Sequence, residues 1–416
     1  MARIGRIVIR KILDSRGNPT VEVCVSADGA TGCAAAPSGA STGTYEVVAI
    51  PSKGIDAAIL SFRRRIVPRL LGMDCTRQAD VDAELRAADG TDDLRRVGGN
   101  LIVATSLAVA RTAAEVVGQP LFRYVGGAHA GEDHLPYPMG NLLGGGAHAV
   151  GGTILQEFMA LAQGLPSSTV FANGRAHALV KETLRKRFPN AALGKGDEGA
   201  WVAPLDDDVA MGLVRKCIAT TSRRTKVPMS LSLDFAATEF FRDGRYRYRK
   251  RSLRPSAQRD FVEQSVRSHN IASVEDPLEE GDFTGFAELT DRIGDDCLVI
   301  GDDLFVTNVE RLQQGIAQGA ANAILIKPNQ VGTLTDTART VRVAQAAGYA
   351  CVLSHRSGET EDTTIAHLAV AFGAVAIKTG AVGGERTAKL NELLRIEELL
   401  LRPHDDSRGP SHATIR

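Results

Sequence analysis

A short apolar run that ends in a polar residue recurs six times in the second half of this sequence. The runs end at Asp234, Glu275, Asp302, Lys327, His355 and Lys378. Each run is separated from the next by a segment long enough for one helix, and short apolar runs of this kind are typical of buried parallel strands. A (β/α)8 barrel of about 250 residues gives about 30 residues to each strand and helix. The pattern therefore predicts a closed barrel from Leu135 onward, with these six side chains at one face.

Lys327 ends the run A-I-L-I-K-P-N-Q-V-G at residues 323–332. A lysine at a buried strand end is poorly hydrated, and burial disfavours the charged ammonium form. We therefore expect the pKa of Lys327 to be lowered, so that the amine could act as a base near neutral pH. Taken alone, Lys327 could equally be a lysine that reaches out of the strand end to pair with a carboxylate.

The overall composition argues against several classes of function. Lys and Arg total 49 and Asp and Glu total 49, so the formal net charge is zero and favours neither nucleic acid nor an anionic membrane. No run approaches the roughly 20 apolar residues of a membrane-spanning helix. The N-terminal M-A-R-I-G-R-I-V-I-R alternates Arg with Ile, which predicts a strand and not a signal peptide. The six cysteines form no C-x-x-C pair, so we expect buried thiols in a reducing cytoplasm.

A length of 416 residues indicates two domains. Residues 1–132 are predicted to form an α+β capping domain with strands at 3–13, 20–26 and 30–36 and a mostly apolar helix at 100–117. The barrel is predicted over residues 133–402, and residues 403–416 are expected to be a disordered tail. Within the cap, the segment P-S-G-A-S-T-G at residues 37–43 is either an ordinary turn or a mobile lid over a ligand.

Two further loops of the second domain contain candidate site residues. The glycine-rich segment N-L-L-G-G-G-A-H-A-V-G-G carries His148 and is followed by Gln156 and Glu157. It does not fit the G-x-G-x-x-G pattern that precedes a helix, so dinucleotide binding is not expected. Glu198 lies in the turn-rich segment G-K-G-D-E-G-A, which a plain surface turn would explain equally well.

Nine short motifs resemble those of the enolase family and occur in the family's order along nearly the whole chain. They are S-G-A-S-T-G, L-Q-E-F-M, G-D-E-G, S-L-D-F-A-A-T-E-F, V-E-D-P, G-D-D-L-F-V-T-N, I-L-I-K-P-N-Q-V-G-T-L, S-H-R-S-G-E-T-E-D and I-K-T-G. Each motif alone is weak, whereas nine in register are very specific. The resemblance implies an N-terminal α+β lid domain followed by an enolase-type modified (β/α)8 barrel, in which one strand and one helix run in unusual directions.

The resemblance also implies a role for each matching residue. Asp234, Glu275 and Asp302 match the ligands of a first Mg²⁺, and Ser41 matches the ligand of a second Mg²⁺ that arrives with the substrate. Oxygen ligands are what this hard cation requires. Lys327 matches the catalytic base, and Glu198 matches the acid that assists the leaving hydroxyl, with Glu157 beside it. The positions that match substrate contacts or line the same pocket are Gln156, His148, His355, Arg356, Ser357 and Lys378.

Several positions depart from the family's pattern. Gly144, Lys195 and Trp201 replace usual residues, and the segment T-G-A-V-G-G-E-R after Lys378 is one residue shorter and lacks an Arg. Two enzymatic hypotheses follow: dehydration of 2-phospho-D-glycerate to phosphoenolpyruvate, or the reaction of a paralogue resembling carboxyphosphonoenolpyruvate synthase. The third hypothesis is a non-catalytic enolase-fold binding protein, although this chain keeps all the reactive groups.

The resemblance further implies a cytoplasmic enzyme for a small phosphorylated or phosphonylated carboxylate. Glu22 and Arg395 match a charge pair between family subunits, which predicts a homodimer or a higher homo-oligomer.

Overall fold

The N-terminal region is a small sheet covered by helices, as the sequence predicts. The computed structural model describes residues 1–39, 45–133 and 135–401. Strands β1 (Ile4–Leu13), β2 (Pro19–Ala27) and β3 (Ala30–Ala35) form an antiparallel sheet in that order. The helices are α1 (Ile55–Arg65), α2 (Val67–Leu70), α3 (Gln78–Asp89), α4 (Gly99–Val116) and α5 (Leu121–Gly126). Helix α4 is buried on nearly every side because it packs between β2 and β3 on one side and barrel helices on the other.

Eight strands of the second region close into a barrel, which confirms the predicted fold class. They are β4 (Tyr137–Gly144), β5 (Glu157–Ala162), β7 (Met229–Asp234), β11 (Ile271–Glu275), β12 (Leu298–Gly301), β13 (Ala323–Ile326), β14 (Ala350–Ser354) and β15 (Ala376–Lys378). Strand β15 pairs with β4 and closes the ring. Strand β5 runs antiparallel to both neighbours, whereas the other pairs around the ring are parallel. This reversed strand is the modification that the family resemblance implies.

Helices surround this ring. They are α6 (Pro166–Arg187), α7 (Asp207–Thr225), α8 (Pro255–His269), α9 (Phe283–Ile293), α10 (Val309–Gln318), α11 (Pro328–Val331), α12 (Leu334–Ala346), α13 (Thr364–Ala371) and α14 (Gly384–Leu401). Short strands β6 (Trp201–Val202), β8 (Phe241–Arg242), β9 (Arg245–Arg247) and β10 (Ser252–Leu253) lie in the connections. Among the described residues, no helix combines the length and apolar character needed to cross a membrane. The predicted tail at 403–416 lies outside the described residues, and the boundary at residue 132 remains a prediction.

The prediction of buried thiols is wrong for two of the six cysteines. Cys24 and Cys33 form a disulfide, whereas Cys75, Cys217, Cys297 and Cys351 are buried free thiols. The reason is the register of the β2–β3 hairpin, which places Cys24 directly opposite Cys33. The hairpin turns at Asp28 and Gly29, both with positive φ, as Asp-Gly turns favour. The two cysteines are equally far from this turn, so a register centred on Asp28-Gly29 would have predicted the pairing.

Candidate active site

One cavity brings together most of the predicted site residues. Its lining includes His148, Gln156, Glu157, Glu198, Asp234, Asp302, Lys327, His355, Arg356, Ser357 and Lys378. Glu275 is buried and contacts the cavity residue Lys378 without being part of the lining. Ser41 lies outside the described residues. The barrel explains this convergence, because the ends of its strands meet at one face.

Lys378 is the centre of a buried carboxylate cluster. Its Nζ lies 2.9 Å from Asp234 Oδ2, 2.7 Å from Glu275 Oε2 and 3.0 Å from Glu157 Oε1. The strand register brings these groups together, because Asp234 pairs with Glu157 on one side and with Glu275 on the other. Burial alone would lower the pKa of Lys378, but the surrounding carboxylates outweigh it and raise the pKa well above its ordinary value.

Lys327 forms an ion pair with Asp302 and does not have the lowered pKa that we predicted. Burial acts in the predicted direction on the pKa of Lys327, but the neighbouring Asp302 carboxylate outweighs it, so the pKa is raised. The prediction was wrong because it considered burial without this partner, which lies 25 positions away in the sequence. Asp302 is itself held by Asp276, whose carboxylate accepts hydrogen bonds from the backbone N–H groups of Asp302 and Asp303.

The donor set fits a hard divalent cation. Asp234, Glu275 and Asp302 supply the oxygen ligands that Mg²⁺ prefers. Burial, and then the charges of Asp234 and Asp302, raise the pKa of Glu275 well above normal, although Lys378 and Lys327 partly oppose this. The three carboxylates outnumber the two lysines with which they pair. Among the described residues, two groups of possible metal ligands have donor atoms that all lie within 4.8 Å of one another: His148, Glu157 and Glu198, and Asp276, Asp302 and Asp303. Asp302 is the one predicted ligand in either group.

Glu157 and Glu198 form a pair of buried carboxylates beside His148. His148 Nδ1 lies 3.4 Å from Glu198 Oε1 and 4.0 Å from Glu157 Oε1. Burial and the charge of Glu198 raise the pKa of Glu157 well above its ordinary value. Burial also acts to raise the pKa of Glu198, but nearby cationic groups, which include His148, Arg386 and Lys378, outweigh it and the pKa falls well below normal. These opposite pKa shifts make Glu157 the more readily protonated of the two carboxylates, whereas the family resemblance gives the acid role to Glu198.

Arg356 and Ser357 provide a potential anion-binding pair. The guanidinium of Arg356 is buried and lies 2.9 Å from the carboxylate of Glu46 and 3.1 Å from Asn329 Oδ1. Ser357 is also buried, and its Oγ has no hydrogen-bond partner within the described part of the chain. An arginine fork and a free hydroxyl at the same cavity are suited to phosphoryl oxygens.

Three supporting residues were missed by the sequence reasoning. Glu46 pairs with Arg356, Asn141 Nδ2 donates to Glu198 Oε2 at 3.2 Å, and Arg386 contacts His355. Asn141 lies in the glycine-rich segment before Gln156 and Arg386 in the shortened segment after Lys378, but their partners are 57 and 31 positions away in the sequence. No local pattern identifies such pairs.

Lys195 and Trp201, two of the residues that depart from the family pattern, lie against each other. The Trp201 ring is buried, its Nε1 donates to His177 O at 3.1 Å, and Lys195 Nζ lies 5.2 Å from the ring centre. Gly199 has a φ of +77°, and a Cβ atom there would lie 2.4 Å from Val382 O. The turn that carries Glu198 therefore needs glycine at this position. None of the altered residues Gly144, Lys195, Trp201 and Gly383 is part of the described cavity lining.

Comparisons with known proteins cover nearly the whole chain. The family model described as "Enolase, N-terminal domain" matches residues 4–125, and "Enolase, C-terminal TIM barrel domain" matches residues 132–405. The chain is 52% identical to a protein named Enolase from Natronomonas pharaonis, over 95% of this chain and 99% of that protein. It is 51% identical to one from Halorubrum lacusprofundi, over 96% and 99%, and 50% identical to one from Methanothermobacter thermautotrophicus, over 95% and 96%.

Proposed function

This chain belongs to the enolase family and is a carbon–oxygen lyase, and from that premise we propose that it dehydrates 2-phospho-D-glycerate to phosphoenolpyruvate. One observation carries the proposal: a single cavity contains the amine of Lys327, the buried amine of Lys378, the carboxylates of Asp234 and Asp302, and the Glu157–Glu198 pair. These are the groups needed to remove a proton next to a carboxylate and to expel a hydroxyl.

In this mechanism Lys327 removes the proton next to the substrate carboxylate. Removal of this proton adds a second negative charge to the substrate carboxylate, which already has one, so the barrier is mainly electrostatic. The positive ammonium of Lys378 stabilises that negative charge. Two opposite unit charges about 4 Å apart attract each other by about 4 kcal/mol at an effective dielectric of 20. A Mg²⁺ ion held by Asp234, Glu275 and Asp302, with a second at Ser41, would supply further positive charge and favour the uncharged form of Lys327.

The remaining residues bind the substrate and protonate the leaving group. The Glu157–Glu198 pair gives a proton to the departing hydroxyl, and the raised pKa of Glu157 supports its participation. Arg356 and Ser357 hold the phosphoryl group, while Gln156, His148 and His355 line the pocket. The altered positions lie outside the described lining, which favours 2-phospho-D-glycerate over a phosphonate analogue.

The test is turnover of 2-phospho-D-glycerate with Mg²⁺, followed by the ultraviolet absorbance of the product's double bond. We expect Lys327→Ala to reduce the rate by at least about 100-fold, since a positioned base is lost. Lys186→Ala, at an exposed lysine of α6, is the matched control and is expected to keep the rate. A background rate in the unmodified protein would reject the proposed substrate in favour of the phosphonate paralogue or a non-catalytic protein.

We also propose a cytoplasmic homodimer or higher homo-oligomer. The family resemblance supports this location, because the Cys24–Cys33 disulfide removes the argument from free cysteines. Within one chain Glu22 pairs with Arg10, and Arg395 pairs with Glu392 at 2.6 Å. A Glu22–Arg395 contact between subunits therefore requires these side chains to exchange or share partners. Light scattering at micromolar concentration tests the dimer, and a monomeric mass would reject it.

A further inference from the structure

Arg386 is a fully buried arginine in the shortened segment after Lys378. Its Nη1 lies 2.7 Å from His355 Nδ1 and 2.7 Å from Arg356 O. Its Nη2 donates to Ser357 O at 2.8 Å and to Asp197 O at 3.2 Å. One guanidinium thus joins the His355 ring to the backbone of the two anion-binding residues and to the turn before Glu198.

The contact with His355 has only one chemically consistent assignment. An arginine side chain has five N–H donors and no acceptor, and it keeps its proton in proteins. His355 Nδ1 must therefore be the acceptor, which excludes a proton on this nitrogen. The ring is then uncharged and carries its single proton on Nε2. Burial and the charge of Arg386 also hold the pKa of His355 well below its ordinary value, although Glu198 partly opposes this.

The opposite ring nitrogen faces the site. His355 Nε2 is buried and lies 3.7 Å from Glu198 Oε2, beyond hydrogen-bond distance, and no other described residue accepts a hydrogen bond from it. The residue lines the cavity, and its backbone N–H is fixed by Lys378 O at 2.9 Å. An unsatisfied buried donor costs about 1–3 kcal/mol of folding free energy. A ligand oxygen that accepts a hydrogen bond from this N–H would remove that cost.

We propose that Arg386 is a positioning residue that fixes His355 in its uncharged Nε2–H form, so that His355 donates a hydrogen bond to an oxygen of the bound substrate. His355 then neither accepts nor releases a proton during the reaction. The role of the substrate oxygen rests on the proposed function, whereas the state of the ring does not.

The first experiment is nitrogen NMR of the whole protein labelled at histidine, without substrate and at neutral pH. The His355 signals are identified among the nine histidines by their loss in His355→Gln. We expect Nε2 to be protonated and Nδ1 to be unprotonated. A charged ring, or a proton on Nδ1, would overturn the proposal. Neither result depends on turnover, so it is separate from any failure of the proposed function.

The second experiment compares Arg386→Met with Arg386→Lys. Loss of an outer partner that orients a site histidine is expected to lower kcat by about 10- to 100-fold. The KM should change much less, and the NMR signals should report a mixture of the two neutral ring forms. Arg386→Lys keeps a cationic donor and should recover part of both effects. Arg342→Met, at an exposed arginine of α12, is the control and should match the unmodified protein.

A folded Arg386→Met protein with an unchanged His355 ring form would refute the positioning role. If this variant does not fold, the decision rests on the unmodified protein and on Arg386→Lys. If the ring has the expected form but 2-phospho-D-glycerate is not converted, the proposed function fails and the assignment of His355 stands.

Discussion

The buried ion pair between Lys389 and Glu359 provides the sharpest stability test. Lys389 Nζ lies 2.8 Å from Glu359 Oε2 and 2.9 Å from Thr360 O, and the two charged side chains are 1% and 3% exposed. Glu359 also accepts hydrogen bonds from the backbone N–H groups of Arg356 and Thr360. Lys389→Met would leave this carboxylate buried without its cation. Breaking a buried pair in this way costs about 3–5 kcal/mol, because the remaining charge is uncompensated.

The chain offers a control with the same separation and the opposite environment. Lys11 Nζ lies 2.8 Å from Asp56 Oδ1, but these side chains are 47% and 77% exposed. Lys11→Met should cost no more than about 1 kcal/mol, as is usual for surface pairs. Urea unfolding of both variants, with the slope checked against the unmodified protein, measures the difference. Equal losses in the two variants would refute the argument that burial sets the cost.

The same substitution has a functional consequence. Because Glu359 holds the backbone of Arg356, we expect Lys389→Met to raise the KM more than it lowers kcat. The double variant Lys389→Met/Glu359→Gln also removes the unpaired negative charge of Glu359, so part of the stability lost in Lys389→Met should return. A double variant as unstable as the sum of the two single losses would contradict this coupling.

Four further predictions follow from the site and the fold. Chelation of divalent cations should abolish turnover and added Mg²⁺ should restore it, whereas a rate unaffected by chelation would contradict the assigned carboxylate ligands. Arg356→Lys keeps the charge but loses the two-pronged guanidinium, so the KM for a phosphorylated substrate should rise by about tenfold or more in steady-state assays. The hydrogen bond from His367 lowers the pKa of Glu392 to about 2, although burial partly opposes this. The Glu392 carboxylate therefore stabilises the fold above its unfolded pKa, and this stability is lost as the pH falls from about 4.5 toward 2. Glu392→Gln should flatten the acid side of the stability profile measured by urea unfolding. Alkylation of the unfolded protein should modify four thiols before reduction and six after it, as mass spectrometry would count, whereas six before reduction would exclude the Cys24–Cys33 disulfide.

The sequence predicted those features that depend on local patterns. The run that ends at Lys327 and the similar run that ends at Asp302 indicated strand ends, and a barrel requires such ends to meet. The motif resemblance added Glu198 and His148, which lie in loops without a strand pattern. Features that depend on pairing between distant segments could not be predicted in this way. The raised pKa of Lys327 depends on Asp302, and the environment of Arg356 depends on Glu46, 310 positions away.

Each of the main cations of the cavity already holds a carboxylate of the chain. Lys327 is paired with Asp302, Lys378 with Asp234 and Glu275, and Arg356 with Glu46. In the proposed reaction, an anionic substrate would compete with these carboxylates for the cations, and a divalent cation would compete with the ammonium groups for the carboxylates. Each ligand would thus release groups that the other needs, which would couple their binding free energies. By linkage, the factor by which Mg²⁺ tightens substrate binding must equal the factor by which substrate tightens Mg²⁺ binding.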